Sequence, residues 1–188
     1  MNDLVFTVQP GGRLDGDIRV PGDKSISHRS IILGAIAEGT TSVEGFLEGE
    51  DSLATLRAFR DMGVIIADVT NGNTEIQGVG LNGLSQPTGQ LDLGNSGTAM
   101  RLMCGLLAGQ SFSSVLTGDD SLSSRPMARV AEPLNAMGAD IKLQPGGFAP
   151  IEIFPASLHS VDYAMPVASA QIKSCLLLAA LYTNQNAG

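Results

Sequence analysis

An α/β fold assembled from repeated βαβαββ units is predicted by three observations on the 188-residue sequence. Two stretches, residues 28–66 and 100–141, run through the same order: apolar helical segment, glycine, short β-rich segment, Asp-Ser-Leu, second helix, Met-Gly, strand. A third copy opens at QIKSCLLLAALY, residues 171–182, and is expected to be incomplete. Finally, the cationic residue near each first helix falls at Arg29, Arg101 and Lys173, two successive intervals of 72 residues. A period of that length marks one supersecondary unit used several times, with helices laid against sheets.

The elements follow in order. LVFTVQP, residues 4–10, predicts a strand ahead of the first repeat. Ile26 to Ala37 has helical periodicity and Gly39 suits its C-terminal stop. TTSVEGF, residues 40–46, is short and β-branched, a strand. Asp51 or Ser52 can cap a second helix whose Leu53, Leu56 and Phe59 form one apolar stripe, closed by Gly63. VIIADV and TEIQGV, joined by TNGN, predict a hairpin, because Asn-Gly supplies the positive φ angles its turn needs. LNGLSQPTGQ, residues 81–90, is the linker to the second unit. There ADIKL and PIEIF form the hairpin around QPGGFA. Pro126 suits the first turn of the unit's second helix, and Pro133 is expected to kink it.

Composition narrows the function. The chain is 43% hydrophobic with 23 glycines and no tryptophan, which predicts many tight turns around an aliphatic core. A net charge of −8 argues against nucleic acid, whose binders carry a basic face. No apolar run approaches the roughly 20 residues that span a bilayer. Met1 leads into NDLVFTVQPGG, which lacks the cationic start and apolar core of a secretion signal, so a cytoplasmic protein is expected. Cys104 and Cys175 sit inside apolar helical patterns and read as buried free thiols. Neither His28 nor His159 stands at metal-ligand spacing to them, so no metal is expected. Dinucleotide, P-loop and G-x-S-x-G motifs are absent from the sequence.

Three helix starts, one per repeat, read GDKSISHR, GNSGTAMR and VASAQIK. Unpaired N–H groups and the positive end of the dipole make such a start an anion site, and small or hydroxylic residues let the anion approach. Lys24 in a first turn opposes the dipole, which an anion would relieve; Arg125 raises the same objection before Pro126. Two readings fit these residues. Either the starts converge on a cleft for small phosphorylated or carboxylated molecules, or the serines are ordinary caps and the arginines pair with surface carboxylates. His28 by itself reads as a structural histidine.

Taken together, PGDKSISHRS, LGNSGTAMRL, SLSSRPM and SAQIKS resemble the 5-enolpyruvylshikimate-3-phosphate synthase family, in its order and spacing, over essentially the whole chain. That family's enzyme is longer, and the resemblance covers its first part. The resemblance implies an inside-out α/β barrel domain, one of two similar domains each made of three βαβαββ units, with the active site between them. Residues 1–19 would be a strand belonging to the other domain. Residues 20–188 would be the first domain, with repeats at about 20–80 and 91–156 and the start of a third at about 161–188, the second domain being absent from this chain. The implied reaction, in the shikimate pathway of aromatic amino acid biosynthesis, is transfer of the enolpyruvyl group of phosphoenolpyruvate to the 5-hydroxyl of shikimate 3-phosphate, releasing phosphate. It runs through a tetrahedral intermediate with no metal or organic cofactor.

The family's roles carry over by motif. Lys24 would be the catalytic cation touching both substrates. Ser25, Arg29, Ser169 and Gln171 would hold shikimate 3-phosphate; Gly97, Arg125 and again Gln171 would hold phosphoenolpyruvate. Many members have Ser-Ser-Gln where this chain has Ser169-Ala170-Gln171, which removes one hydroxyl contact to the phosphate. The variant resembles a subgroup some of whose members tolerate glyphosate, the inhibitor of this enzyme. Gly97 keeps the phosphoenolpyruvate pocket open where added bulk would exclude it, so tolerance does not follow. Because the family draws acidic and further basic residues from its second half, this chain alone is expected to be inactive, with at most weak substrate binding. An exposed apolar face and self-association are expected too, although the intact enzyme would be a monomer. Two alternatives are a UDP-N-acetylglucosamine enolpyruvyl transferase, against which DKSISHR argues, and a non-catalytic anion-binding half that acts with a partner chain.

Overall fold

Unit two of the repeat is complete in the computed structural model, which describes residues 5–13 and 15–183. Its elements are β4 (Leu91–Asp92), α3 (Gly97–Leu107), β5 (Ser114–Thr117), α4 (Asp120–Ser123), α5 (Ala128–Ala136), β6 (Asp140–Gln144) and β7 (Phe148–Phe154). They form a four-stranded sheet in the order β4-β5-β7-β6, with β4 parallel to β5 and the other pairs antiparallel. Unit one supplies α1 (Lys24–Ile36), β1 (Glu38–Val43), α2 (Glu50–Asp61), β2 (Ile65–Ile66) and β3 (Thr74–Val79). Its antiparallel sheet, β1-β3-β2, repeats the order β5-β7-β6 of unit two. α6 (Ala170–Ala180) opens the third copy, whose residues 184–188 lie outside the described residues.

Local chemistry accounts for most boundaries. Asp23 caps α1 by accepting from the Ile26 N–H at 2.7 Å. In the first hairpin Asn71 and Gly72 take φ of 53° and 74°, the two positive angles expected of Asn-Gly. The pattern of β7 alternates strictly between buried and half-exposed residues, as a strand with one face on the core does.

Three expectations are corrected. No strand forms in residues 5–10, where Val5, Phe6 and Val8 are 78–89% exposed. A strand needs a neighbour for its backbone groups, and none lies beside this segment among the described residues; Leu4 is outside them. The start of α2 comes earlier than Asp51, with Gly49 at the cap position and no side-chain cap bond. Glu50 and Asp51 instead occupy the first turn, where carboxylates favour the helix dipole. Pro126 does not open the second helix of unit two but splits it. The residue before proline avoids helical angles, so α4 ends at Ser123 and α5 begins only at Ala128. Pro133 sits inside α5, which continues for three residues beyond it.

The core is centred on α3, nine of whose 11 residues are buried, the exceptions being Thr98 and Arg101. It lies against α1, α2, α5 and α6. Contact with α6 is closest at Gly105, where a Cβ would stand 2.0 Å from the Cys175 carbonyl oxygen. Cys104 and Cys175 are buried and unpaired in this seam. Burial pushes the Cys104 thiol up to about 12 and the Cys175 thiol well above its ordinary value. Away from the seam, Leu33, Leu177 and Leu181 remain about half exposed along a groove of about 260 Å³ between α1 and α6. Among the described residues no helix is long and apolar enough to cross a membrane.

Candidate functional site

The three repeated helices bring their N-terminal turns together, and a hydrogen bond joins each pair. Between α1 and α3, His28 Nε2 and Ser96 Oγ lie 3.2 Å apart. Between α1 and α6, Arg29 Nη2 donates to Ser174 Oγ at 2.8 Å. Between α3 and α6, Arg101 Nη1 donates to Gln171 Oε1 at 3.0 Å, and Gln171 Nε2 donates to Thr98 Oγ1 at 3.0 Å. Each start is capped by its own side chain: Asp23 for α1, Ser96 for α3 and Ser169 for α6. None of the three has an acidic residue in its first turn; α1 has the Asp23 carboxylate at its cap, whereas α3 and α6, capped by serines, keep their positive dipole ends uncompensated from within.

Cations gather on this feature. Lys24 and Ser25 begin α1, and Lys24 Nζ pairs with the Asp51 carboxylate at the start of α2. Arg29 folds back one turn, its Nη1 donating to the Ser25 carbonyl at 3.0 Å. Gly97 lies beneath two guanidinium groups: a Cβ there would stand 2.8 Å from Arg101 Nη1 and 3.2 Å from Arg125 Nη1. Burial, followed by the nearby Arg125 charge, lowers the pKa of Arg101 from its ordinary value. Arg125 is aimed by Asn95, whose Oδ1 accepts from Nη2 at 2.5 Å, and by Ser121 Oγ at 3.3 Å. Asn95 in turn donates to both oxygens of Asp119, at 3.1 and 2.8 Å. That hydrogen bond, with the Leu122 N–H, holds the Asp119 carboxyl below the usual range. Two like charges over one small residue form an arrangement that a bound anion stabilises.

The sequence-predicted residues are thus arranged as follows. Gly97, Arg125 and Gln171 meet around α3, through Arg101 in the case of Gln171. Lys24, Ser25 and Arg29 occupy one turn and a half of α1. Ser169 caps α6 by accepting from the Ile172 N–H at 3.3 Å, which leaves its hydroxyl proton to donate. Lys173, the third cation of the 72-residue series, instead lines a separate groove with Tyr163 and Met165. Arg101, Thr98 and Asn95 were not among the sequence-predicted site residues. The spacing from Arg29 already marked Arg101; Asn95 and Thr98 carried no signal beyond lying in GNSGT. Asp51, one of two cap candidates in the sequence, forms an ion pair with Lys24 that answers within the chain part of the charge imbalance at α1. Among the described residues no cluster of three or more His, Cys, Asp or Glu could hold a metal ion.

The family model for EPSP synthase (3-phosphoshikimate 1-carboxyvinyltransferase) matches residues 8–187. A 3-phosphoshikimate 1-carboxyvinyltransferase of Methylococcus capsulatus is 65% identical over 181 residues, 96% of this chain and 41% of the relative. Its counterpart from Alkalilimnicola ehrlichii is 64% identical over 180 residues, 95% of this chain and 40% of the relative. The solved structure of EPSP synthase from Acinetobacter baumannii superposes with a TM-score of 0.87 at 57% identity, covering 89% of this chain and 38% of that one. The chain therefore spans about two-fifths of the length of the curated relatives it matches. With the family model running from residue 8 to residue 187, through all three capped helix starts, the chain belongs to the EPSP synthase (3-phosphoshikimate 1-carboxyvinyltransferase) family.

Proposed function

We propose that this chain carries part of the site that transfers the enolpyruvyl group of phosphoenolpyruvate to the 5-hydroxyl of shikimate 3-phosphate. The observation that carries the reading is the pairwise joining of three capped helix starts, with Lys24, Arg29, Arg101 and Arg125 around them. Both substrates are multiply charged anions, and such a set of N–H groups, hydroxyls and cations suits them. In this reading Ser25, Arg29 and Ser169 hold shikimate 3-phosphate, and Gln171 lies against its ring. Gly97 and Arg125 hold phosphoenolpyruvate, the missing Cβ of Gly97 giving it access to the backbone. Lys24 leaves Asp51 to contact both. Charge developing on the tetrahedral intermediate is then stabilised by cations already in place, an electrostatic contribution that needs no cofactor.

The same reading makes the helices and sheets one inside-out α/β barrel domain, with residues 20–80 and 91–156 as two units, α6 beginning a third, and residues 1–19 belonging with another domain. The chain spans about two-fifths of the relatives' length, and we infer that by itself it binds without turning over. Titration of this chain with shikimate 3-phosphate tests the proposal. Amide signals of Ser25, Arg29 and Ser169 are expected to shift and saturate, whereas UDP-N-acetylglucosamine leaves them in place. Unmoved signals with shikimate 3-phosphate overturn the reading. Phosphate release from both substrates by this chain alone overturns the inference that it does not turn over.

A further inference from the structure

His28 is fully buried and receives no substrate role in the reading above. Its ring spans two hydroxyls on two other helices: Nδ1 lies 2.8 Å from Thr55 Oγ1 in α2, and Nε2 lies 3.2 Å from Ser96 Oγ at the cap of α3. The partners' other bonds favour one tautomer. Thr55 Oγ1, in donating to the Asp51 carbonyl at 3.3 Å, accepts toward His28, with the proton on Nδ1. Ser96 Oγ accepts from the Ala99 N–H at 3.2 Å and sends its own proton to Nε2. The ring is therefore neutral, and burial together with the Lys24 and Arg29 charges keeps it so, against the weaker opposing pull of Asp51.

Both helix starts carry cations, offset at α1 by the Asp23 cap and by Asp51, so charge alone does not fix their spacing. A neutral side chain that bonds across the gap holds them at a fixed spacing without adding charge. We propose that His28 is a positioning residue for anion binding, its bond to Ser96 setting the start of α3, with Gly97 and its two guanidinium groups, against the start of α1, with Lys24 and Arg29. The proposal rests on the reading that both starts serve one ligand.

The test compares this chain with His28→Gln, His28→Leu, Ser96→Ala and the Leu/Ala double variant, each titrated with shikimate 3-phosphate and followed at the Ser25 and Arg29 amides. His28→Leu is expected to weaken binding about tenfold, the scale of one lost buried hydrogen bond. His28→Gln, whose Oε1 can still accept the Ser96 proton, is expected to stay within about twofold of the parent. The double variant should bind no worse than His28→Leu, because both changes remove one bond. A merely structural histidine would lower the unfolding midpoint of the Leu variant yet leave the dissociation constant of its folded fraction unchanged, and that result overturns the proposal. A parental chain that does not respond to shikimate 3-phosphate overturns the shared-site reading and the proposal with it. The ring nitrogens of the parental chain give a ligand-free check even if every variant fails to fold: Nε2 is expected to be hydrogen-bonded to Ser96, and an Nε2 with no hydrogen bond overturns the proposal.

Discussion

Acidification provides a direct measure of how firmly the interior holds His28 neutral. Burial is the main cause, aided by Lys24 and Arg29 and opposed by Asp51, and together these bring its pKa from 6.5 to about 4. The unfolded chain takes up a proton on this ring as the pH falls through 6.5, whereas the native chain does so only near 4. Between those values the unfolded state binds more protons, so stability is lost as the pH falls. At pH 5.5, one unit below the unfolded pKa, the loss relative to pH 7.5 is about 1.4 kcal/mol, and it approaches about 3 kcal/mol near pH 4. Urea unfolding at pH 7.5 and 5.5, for the parental chain and for His28→Gln, isolates this contribution because the carboxylates titrate in both. The parent is expected to lose about 1.4 kcal/mol more than the variant. Equal losses, or a His28 ring signal that titrates near pH 6.5 in the folded chain, would refute the reasoning.

Three further predictions concern the helix seam and the site. Gly105→Ala drives a methyl into the Cys175 backbone, which no rotamer change relieves; a stability loss of roughly 1–3 kcal/mol or more is expected in urea unfolding, and a loss under 0.5 kcal/mol would contradict the packing described. Gly97→Ala meets the side-chain ends of Arg101 and Arg125, with Leu122 at ordinary contact distance and no backbone in the way, so its unfolding free energy should change by less than about 1 kcal/mol. Its side-chain N–H signals of both arginines should nevertheless move and its affinity for phosphoenolpyruvate fall; unchanged arginine signals would count against the arrangement. Cys104 and Cys175, buried with raised thiol pKa values, should resist a disulfide reagent at pH 8 in the native chain and react fully in urea. Rapid labelling of either without denaturant would show the α3–α6 seam to be open.

Much of this architecture was legible because the repeat fixes local chemistry. Helix starts recur in register, Asn71-Gly72 dictates its own turn, and alternation marks β7. The N-terminal strand was not legible, since the apolar residues of LVFTVQP say nothing about whether a neighbour exists to pair with it. The split of the second helix at Pro126 was missed because proline suits both the first turn of a helix and a break before one. In the site, residue types and spacing named most of the groups around the helix starts, but not how they are joined. His28 is 27 residues from Thr55 and 68 from Ser96, and nothing local to any of the three predicts their meeting.

Lys24 shows what this difference does to an electrostatic argument. Read along the chain, it is a cation set against a helix dipole, and the imbalance calls for an outside anion. Folded, it has the Asp51 carboxylate as counter-ion, so the imbalance alone no longer requires a ligand. An anion arriving at α1 has to displace Asp51, and a charge that merely replaces another on one lysine gains little in water. It gains where the same anion also meets the donors of α3 and α6, which the pairwise bonds keep within reach of one molecule. Convergence of the three helix starts, more than the excess of charge at any one of them, is what the proposed binding of multiply charged anions rests on.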